Sequence, residues 1–267
     1  MKIAFVDIDG TLLPIGSVKI PDSSIEAIHK ARKNGNLVFI NSGRCRLEIG
    51  DSIINIGFDG LVCSNGLYVE EHGEVLRNVC MDENLVKQAS DWLEERKIGF
   101  FFEGQRVMCA SGSFYPQLLE REGPEHVEGM KRAFPMIKES ELYYKDIAKI
   151  NFLTVQGLTD EMRNAFGAVA LVNEWSTVGD KFSMGEITVP NASKADGIKL
   201  LLEKHGLDRS CSLAFGDSSG DIAMVKYSGV GVAMGNASDS LKEVADYVTD
   251  DINEDGLYNA FRQFGLI

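Results

Sequence analysis

Proline is scarce, six in 267 residues, and there is no repeat or low-complexity tract, which excludes a collagen, a solenoid and a disordered chain. Cysteine is sparse and scattered. The five lie at 45, 63, 80, 109 and 211, never as C-x-x-C, so neither a disulfide framework nor a zinc ribbon is expected. The four histidines are equally dispersed, with no H-E-x-x-H. Long apolar runs are missing: Ile3 to Val6 is too short for the core of a signal peptide, and nothing approaches the roughly 18 residues of a membrane helix. Positive charge is short as well. Lys and Arg total 27 against 40 Asp and Glu, and the net charge of −13 repels phosphate backbones. These absences lead us to expect a reduced, cytoplasmic protein with neither nucleic acid nor a membrane as partner, and for want of an interface signal a monomer is the default expectation. A small anionic substrate would need a local cation to offset the field.

What is present is ample core. The chain is 44% hydrophobic, and at about 150 residues per domain its length suggests two domains. The first third alternates strand and helix patterns: a buried run at Ile3–Val6, a helical period from Pro21 and Asp22 with Ile25, Ile28 and Ala31 on one face, a strand at Leu37–Ile40, a helix over 45–55, and a strand from Gly60 to Ser64. That order implies right-handed crossovers and a parallel sheet covered on both faces. Tyr68-Val69 and Val75-Leu76 read as a hairpin. The last third has the same rhythm: helices from Ser193 and over 219–228 and 238–245, strands at Ser212–Phe215 and Val230–Ala233, then a short strand near Tyr247 and a helix from about 255. The middle differs. Adjacent strands with few intervening helices predict a smaller α+β domain with an antiparallel sheet, inserted between the halves of one α/β domain. Trp92, Trp175 and Phe100–Phe102 would form its core or, alternatively, floor a substrate pocket.

Chemistry concentrates at strand ends, where open parallel sheets bind ligands. Asp7-Ile8-Asp9-Gly10-Thr11 follows the first strand. A lone D-x-D-G is equally an Asx turn, and an EF-hand is excluded because its sixth position would be Leu12 rather than glycine. Gly216-Asp217-Ser218-Ser219-Gly220-Asp221 ends another strand and enters a helix. Two like charges 4 Å apart repel by roughly 4 kcal/mol at an effective dielectric near 20, so four aspartates in one crevice need a cation, and hard oxygen donors suit Mg²⁺. Ser42, with the Gly43 N–H beside it, ends the second strand and can offer a hydroxyl to a phosphoryl group. Lys194 sits at a helix N-terminus, where the macrodipole disfavours a cation; an anionic ligand would explain it, and so would simple exposure.

Together these motifs resemble the haloacid dehalogenase-like (HAD) superfamily, and within it the Cof-type sugar-phosphate phosphatases with a type IIB cap. Asp7 to Thr11 matches the first motif, Asn41-Ser42-Gly43-Arg44 the second, Lys194 the third, and Gly216-Asp217 through Asp221 the fourth. The resemblance implies a Rossmann-like α/β core over 1–80 and 186–267, with an inserted α+β cap over 81–185 that selects the substrate. It implies that Asp7 is the nucleophile and Asp9 the general acid/base, and that Ser42, Gly43, Lys194, Gly10 and Thr11 surround the phosphoryl group. Mg²⁺ would be held by the Asp7 carboxylate, the Asp9 carbonyl and Asp217, supported by Asp221. The expected activity is Mg²⁺-dependent hydrolysis of small phosphorylated metabolites, sugar phosphates above all, through an aspartyl-phosphate. A hexose phosphomutase or a non-catalytic sugar-phosphate-binding protein are the alternatives. The acid two residues after the nucleophile favours transfer to and from oxygen. One departure stands out: Gly220 occupies the place of the asparagine usual in the fourth motif.

Arg44 and Asn65 follow sheet strands and are candidates either for binding the substrate's leaving group or phosphate or for structural capping; Lys149, Glu174, Lys181 and Glu186 are candidates for selecting the substrate. Asp251 to Gly256 resembles half of an EF-hand, but its twelfth position is Arg262, so a polar turn is expected. Asn191 and Asn236 are chance N-x-S matches.

Overall fold

The computed structural model describes residues 1–133, 144–155, 157–176 and 183–267, so Lys181 and the side chain of Trp175 lie outside the described residues. In chain order the strands are β1 (Ile3–Val6), β2 (Leu37–Asn41), β3 (Gly60–Cys63), β4 (Tyr68–Glu71), β5 (Glu74–Asn78), β6 (Phe100–Gly104), β7 (Met108–Ala110), β8 (Ile147–Leu153), β9 (Leu171–Ser176), β10 (Ser183–Thr188), β11 (Ser212–Gly216), β12 (Val230–Ala233) and β13 (Tyr247–Val248). The helices are α1 (Asp22–Lys33), α2 (Asp51–Ile54), α3 (Glu83–Glu95), α4 (Phe114–Glu122), α5 (Pro124–Ala133), α6 (Leu158–Phe166), α7 (Lys194–His205), α8 (Ile222–Tyr227), α9 (Asp239–Lys242) and α10 (Gly256–Gln263). Among the described residues no helix is long and apolar enough to cross a membrane.

The chain divides into two units. The first, Met1–Arg44, Ile49–Asn78 and Ser193–Ile267, is built on a sheet of order β13-β12-β11-β1-β2-β3-β4-β5. Its first six strands are mutually parallel, and β4 and β5 add an antiparallel hairpin at one edge. The central strands are largely apolar because helices cover them: β1 is apolar and buried at every position, and α1 packs with α10 and α7 with α8. Phe5 stacks on Phe39 with ring centroids 5.8 Å apart, and Phe215 meets Phe261 at 5.0 Å. β2 follows β1 on one side of it, whereas β11 lies on the other, so the order reverses at β1 and opens a crevice at the strands' carboxyl ends.

The second unit comprises Val79–Ala192 with Cys45–Glu48, and its sheet, β7-β6-β8-β10-β9, is antiparallel throughout. It extends past residue 185 because β10 pairs along its whole length with β8 and β9; a boundary at 185/186 would cut that strand. One face packs Phe100, Phe102, Ile150 and Phe152 under α3 and α6, with Trp92 at its margin. On the other, Phe101, Met108 and Leu153 pack with Phe114 and Leu118 of α4. The remainder of that second face is polar, with Glu103, Lys149 and Asn151 buried.

Three helices are shorter than their sequence patterns. The run expected over 45–55 breaks into a 3₁₀ turn at Arg46–Glu48 and the short α2, because Gly50 is extended (ψ 165°) and Glu48 folds back to accept the Cys45 N–H at 2.5 Å. The helix expected over 219–228 opens as a 3₁₀ turn, Ser219–Asp221, closed by a reciprocal Ser218–Asp221 capping box. That expected over 238–245 is only α9, after which Asp246 donates its N–H to Gly231 and enters the sheet.

Candidate active site

Asp7 is the first residue beyond β1, and its N–H continues the ladder by donating to the Phe215 carbonyl at 3.0 Å. Its side chain is buried, 5% exposed, and its Oδ1 accepts from Lys194 Nζ at 2.6 Å. The same ammonium donates to Asp221 Oδ1 at 2.5 Å. Lys194 therefore does not escape to solvent from its helix N-terminus; Ser193 caps the helix by accepting the Ala195 N–H, and the lysine turns inward between two aspartates. Burial works against its charge, but Asp221 and Asp7 outweigh that and hold the ammonium firmly protonated.

Asp221 is fully buried. Its Oδ2 accepts the Asp217 and Ser218 N–H groups at 3.1 and 3.0 Å and the Ser218 hydroxyl at 3.2 Å, which ties the fourth-motif turn to Lys194. Asp217 is then presented toward the first motif, where Thr11 donates its hydroxyl to Oδ1 at 3.2 Å. Gly10 makes this approach possible: its φ is +80°, and a Cβ there would sit 2.2 Å from Asp217 Oδ2. Asn236 braces the same loop, donating to the Gly10 carbonyl at 2.7 Å while accepting the Ile252 N–H at 3.0 Å.

Carboxylate oxygens of Asp7, Asp217 and Asp221 all lie within 4.8 Å of one another. Burial, followed by repulsion from Asp221, raises the Asp7 carboxyl well above its usual range, although Lys194 opposes the shift. Burial and Asp221 likewise push Asp217 up to about 7 against the hydrogen bond from Thr11. Three buried acids share one ammonium. The raised acids mark a local deficit of positive charge, and a small divalent cation bound by oxygen is the chemistry that would meet it. The donor set therefore fits Mg²⁺.

Ser42 is buried at the end of β2, donating its N–H to the Val62 carbonyl and accepting the Arg44 N–H on its hydroxyl at 3.2 Å. Asn41, one residue earlier, donates to the Lys194 carbonyl at 3.0 Å and so joins the second motif to the third. The Asp9 carboxylate stands apart from the acidic trio. Arg44 grips it through two bonds, Nε to Oδ2 at 2.9 Å and Nη2 to Oδ1 at 2.6 Å, on the more exposed side of the loop. Asn65 lies beside Gly43, in a turn with positive φ. Asp251 accepts the Asn253 N–H and forms the polar turn expected before α10.

Two features of this site are not readable from residue types: the brace by Asn236 and the Arg44–Asp9 pair. An N-x-S match carries no information about a carbonyl more than 200 residues away, and the pair depends on two loops meeting.

The haloacid dehalogenase-like hydrolase family matches residues 4–261. YkrA of Bacillus subtilis is 30% identical over 266 residues, spanning all of this chain and 98% of its own. YcsE of the same organism, a 5-amino-6-(5-phospho-D-ribitylamino)uracil phosphatase, is 28% identical over 275 residues, covering all of this chain and 96% of its own. Among solved structures, the HAD subclass IIB sugar phosphatase BT4131 superposes with a TM-score of 0.80 at 25% identity, each chain covered completely. With the fold, the acidic cluster and the full-length family match in agreement, the chain belongs to the haloacid dehalogenase-like hydrolases and is a phosphatase of phosphate monoesters.

Proposed function

We propose that the protein hydrolyses small phosphorylated sugars or polyols through an aspartyl-phosphate on Asp7, in the cytoplasm and with Mg²⁺. The observation that carries the reading is the buried Asp7 carboxylate, 2.6 Å from the Lys194 ammonium and grouped with Asp217 and Asp221. The Asp7 and Asp217 carboxylates and the Asp9 carbonyl would hold Mg²⁺, with Asp221 supporting them. When bound, the ion would neutralise phosphoryl charge that otherwise resists an anionic nucleophile. Lys194 serves the same end through its ammonium, and Ser42 with the Gly43 N–H, Gly10 and Thr11 completes the cradle.

Asp7 attacks phosphorus, and the ester P–O bond breaks as the new bond forms. Asp9 gives its proton to the departing alkoxide and later takes one from the water that attacks the aspartyl-phosphate, returning Asp7 and releasing inorganic phosphate. Arg44, paired with Asp9 in this state, is assigned to the substrate, whose arrival frees the acid. Selection of the leaving group is assigned to the second unit, with Lys149 and Glu186 as candidates. A polyhydroxylated substrate is supported by the names of two relatives, a phosphoribitylamino-compound phosphatase and a sugar phosphatase.

A panel of phosphate esters assayed with Mg²⁺ and with EDTA tests the reading. Release of inorganic phosphate that EDTA removes and Asp7→Asn abolishes is the expected result. Isomer formation without phosphate release would identify a phosphomutase. Tight binding without turnover of any ester would identify a sensor.

A further inference from the structure

The turn after β3 is conformationally costly. Ser64, Asn65 and Gly66 have successive φ values of 48°, 54° and 86°. Glycine accepts such values, but in other residues the side chain crowds the following carbonyl, and asparagine tolerates this better than most. The turn makes contacts in return, and several of them fall on segments of the phosphate site. Ser64 donates its N–H to the Arg44 carbonyl at 2.8 Å, and Asn65 donates its own to the Ser42 carbonyl at 3.2 Å. On the opposite side Gly66 lies against the residue before Lys194, where a Cβ would be 2.3 Å from the Ser193 carbonyl oxygen. The Asn65 side-chain oxygen is 3.3 Å from where a Cβ on Gly43 would stand.

We propose that Ser64-Asn65-Gly66 is a positioning turn whose left-handed backbone sets the spacing between Ser42-Gly43 and Lys194, and that Asn65 serves through that conformation rather than by binding substrate. An extended or right-handed residue at 65 would rotate the peptide that holds the Ser42 carbonyl. It would also lift Gly66 from Ser193, so both halves of the cradle would move together. The proposal rests on the phosphatase reading and replaces the expected substrate-binding role of Asn65.

The test compares Asn65→Gly, Asn65→Ala and Asn65→Val in the full chain. All three lack the amide, but glycine keeps the left-handed conformation, alanine resists it, and a β-branched valine resists it most. The kcat/KM of Asn65→Gly should stay within about threefold of the wild type, while that of Asn65→Val falls about tenfold or more, Asn65→Ala lying between. Affinity for inorganic phosphate with Mg²⁺, measured calorimetrically, should follow the same order, and it decides the matter even if the wild type hydrolyses no ester on the panel. Equal losses in Asn65→Gly and Asn65→Val would show that the amide matters and overturn the proposal. Unchanged kcat/KM and phosphate affinity in Asn65→Val, with only a lower melting temperature, would reduce the turn to a structural feature and overturn it too. Should Asn65→Val fail to fold, the Gly and Ala variants give the same decision.

Discussion

Lys194 carries the charge balance of the site: it is the ammonium shared by the Asp7 and Asp221 carboxylates, and it is buried with both. Removing one partner of a buried ion pair leaves a charge without compensation, which typically costs about 3–5 kcal/mol. Lys194→Met should therefore be destabilised by that order in urea titrations at pH 8. The loss should shrink toward pH 5 as the freed Asp7 carboxyl, which burial already raises, takes up a proton. Gly10→Ala makes the complementary case without changing charge. Its Cβ would occupy the place of Asp217 Oδ2, so Mg²⁺ affinity, read from the activity's metal dependence, should weaken at least about tenfold while the circular dichroism stays native. Asp7, Asp9, Asp217 and Asp221 are legible as candidates because acids beside glycine at strand ends already suggest a chemistry, while Lys194, at a helix N-terminus, is legible only through the resemblance. Asn236 is not, since its role lies in which carbonyl it reaches. Asn65 is half legible: a residue after a strand suggests the site, but only the backbone angle tells a support from a ligand.

At the scale of elements, the parallel sheet was readable because strands buried on both faces are largely apolar, and the inserted antiparallel unit because strands follow one another with few helices between. Helix lengths were not, since local events end them: the Glu48 side chain caps Cys45, Gly50 turns extended, and a capping box tightens the turn before α8. Glu48 also makes the second unit sensitive to pH. Burial, followed by Glu103, pushes its carboxyl up to about 8, with Lys149 opposing, from an ordinary value of 4.5. The folded chain then holds a proton that the unfolded chain releases, so this group's contribution to stability falls as pH rises from about 4.5 to 8. Glu48→Gln, which needs no proton, should flatten that slope and be the more stable protein at pH 8.5 in thermal melts. A wild-type profile with the opposite slope, steepened by the substitution, would refute the assignment. In the first unit, Phe5→Ala should cost about 3–5 kcal/mol in urea, because a fully buried ring stacked on Phe39 leaves a cavity that rigid strands cannot close.

For the molecule as a whole, motifs separated by up to about 200 residues converge because β1 lies between β2 and β11, where the strand order reverses. Ligand binding to that crevice should raise the melting temperature by mass action, with about 2.7 kcal/mol expected when Mg²⁺ is a hundredfold above its dissociation constant. Asp217→Asn should lose most of that increment. The excess of acid over base makes the fit of an anionic substrate local rather than global, so added salt should alter substrate capture more than the chemical step. The identity of the nucleophile decides the mechanism. Quenching the Asp9→Asn variant during reaction with ³²P-labelled p-nitrophenyl phosphate, whose leaving group needs no proton, digesting it and sequencing the labelled peptide measures that identity. The expected result is a label stable in acid, labile in base and carried by Asp7. A label on another residue, or steady turnover by Asp7→Asn, would contradict it.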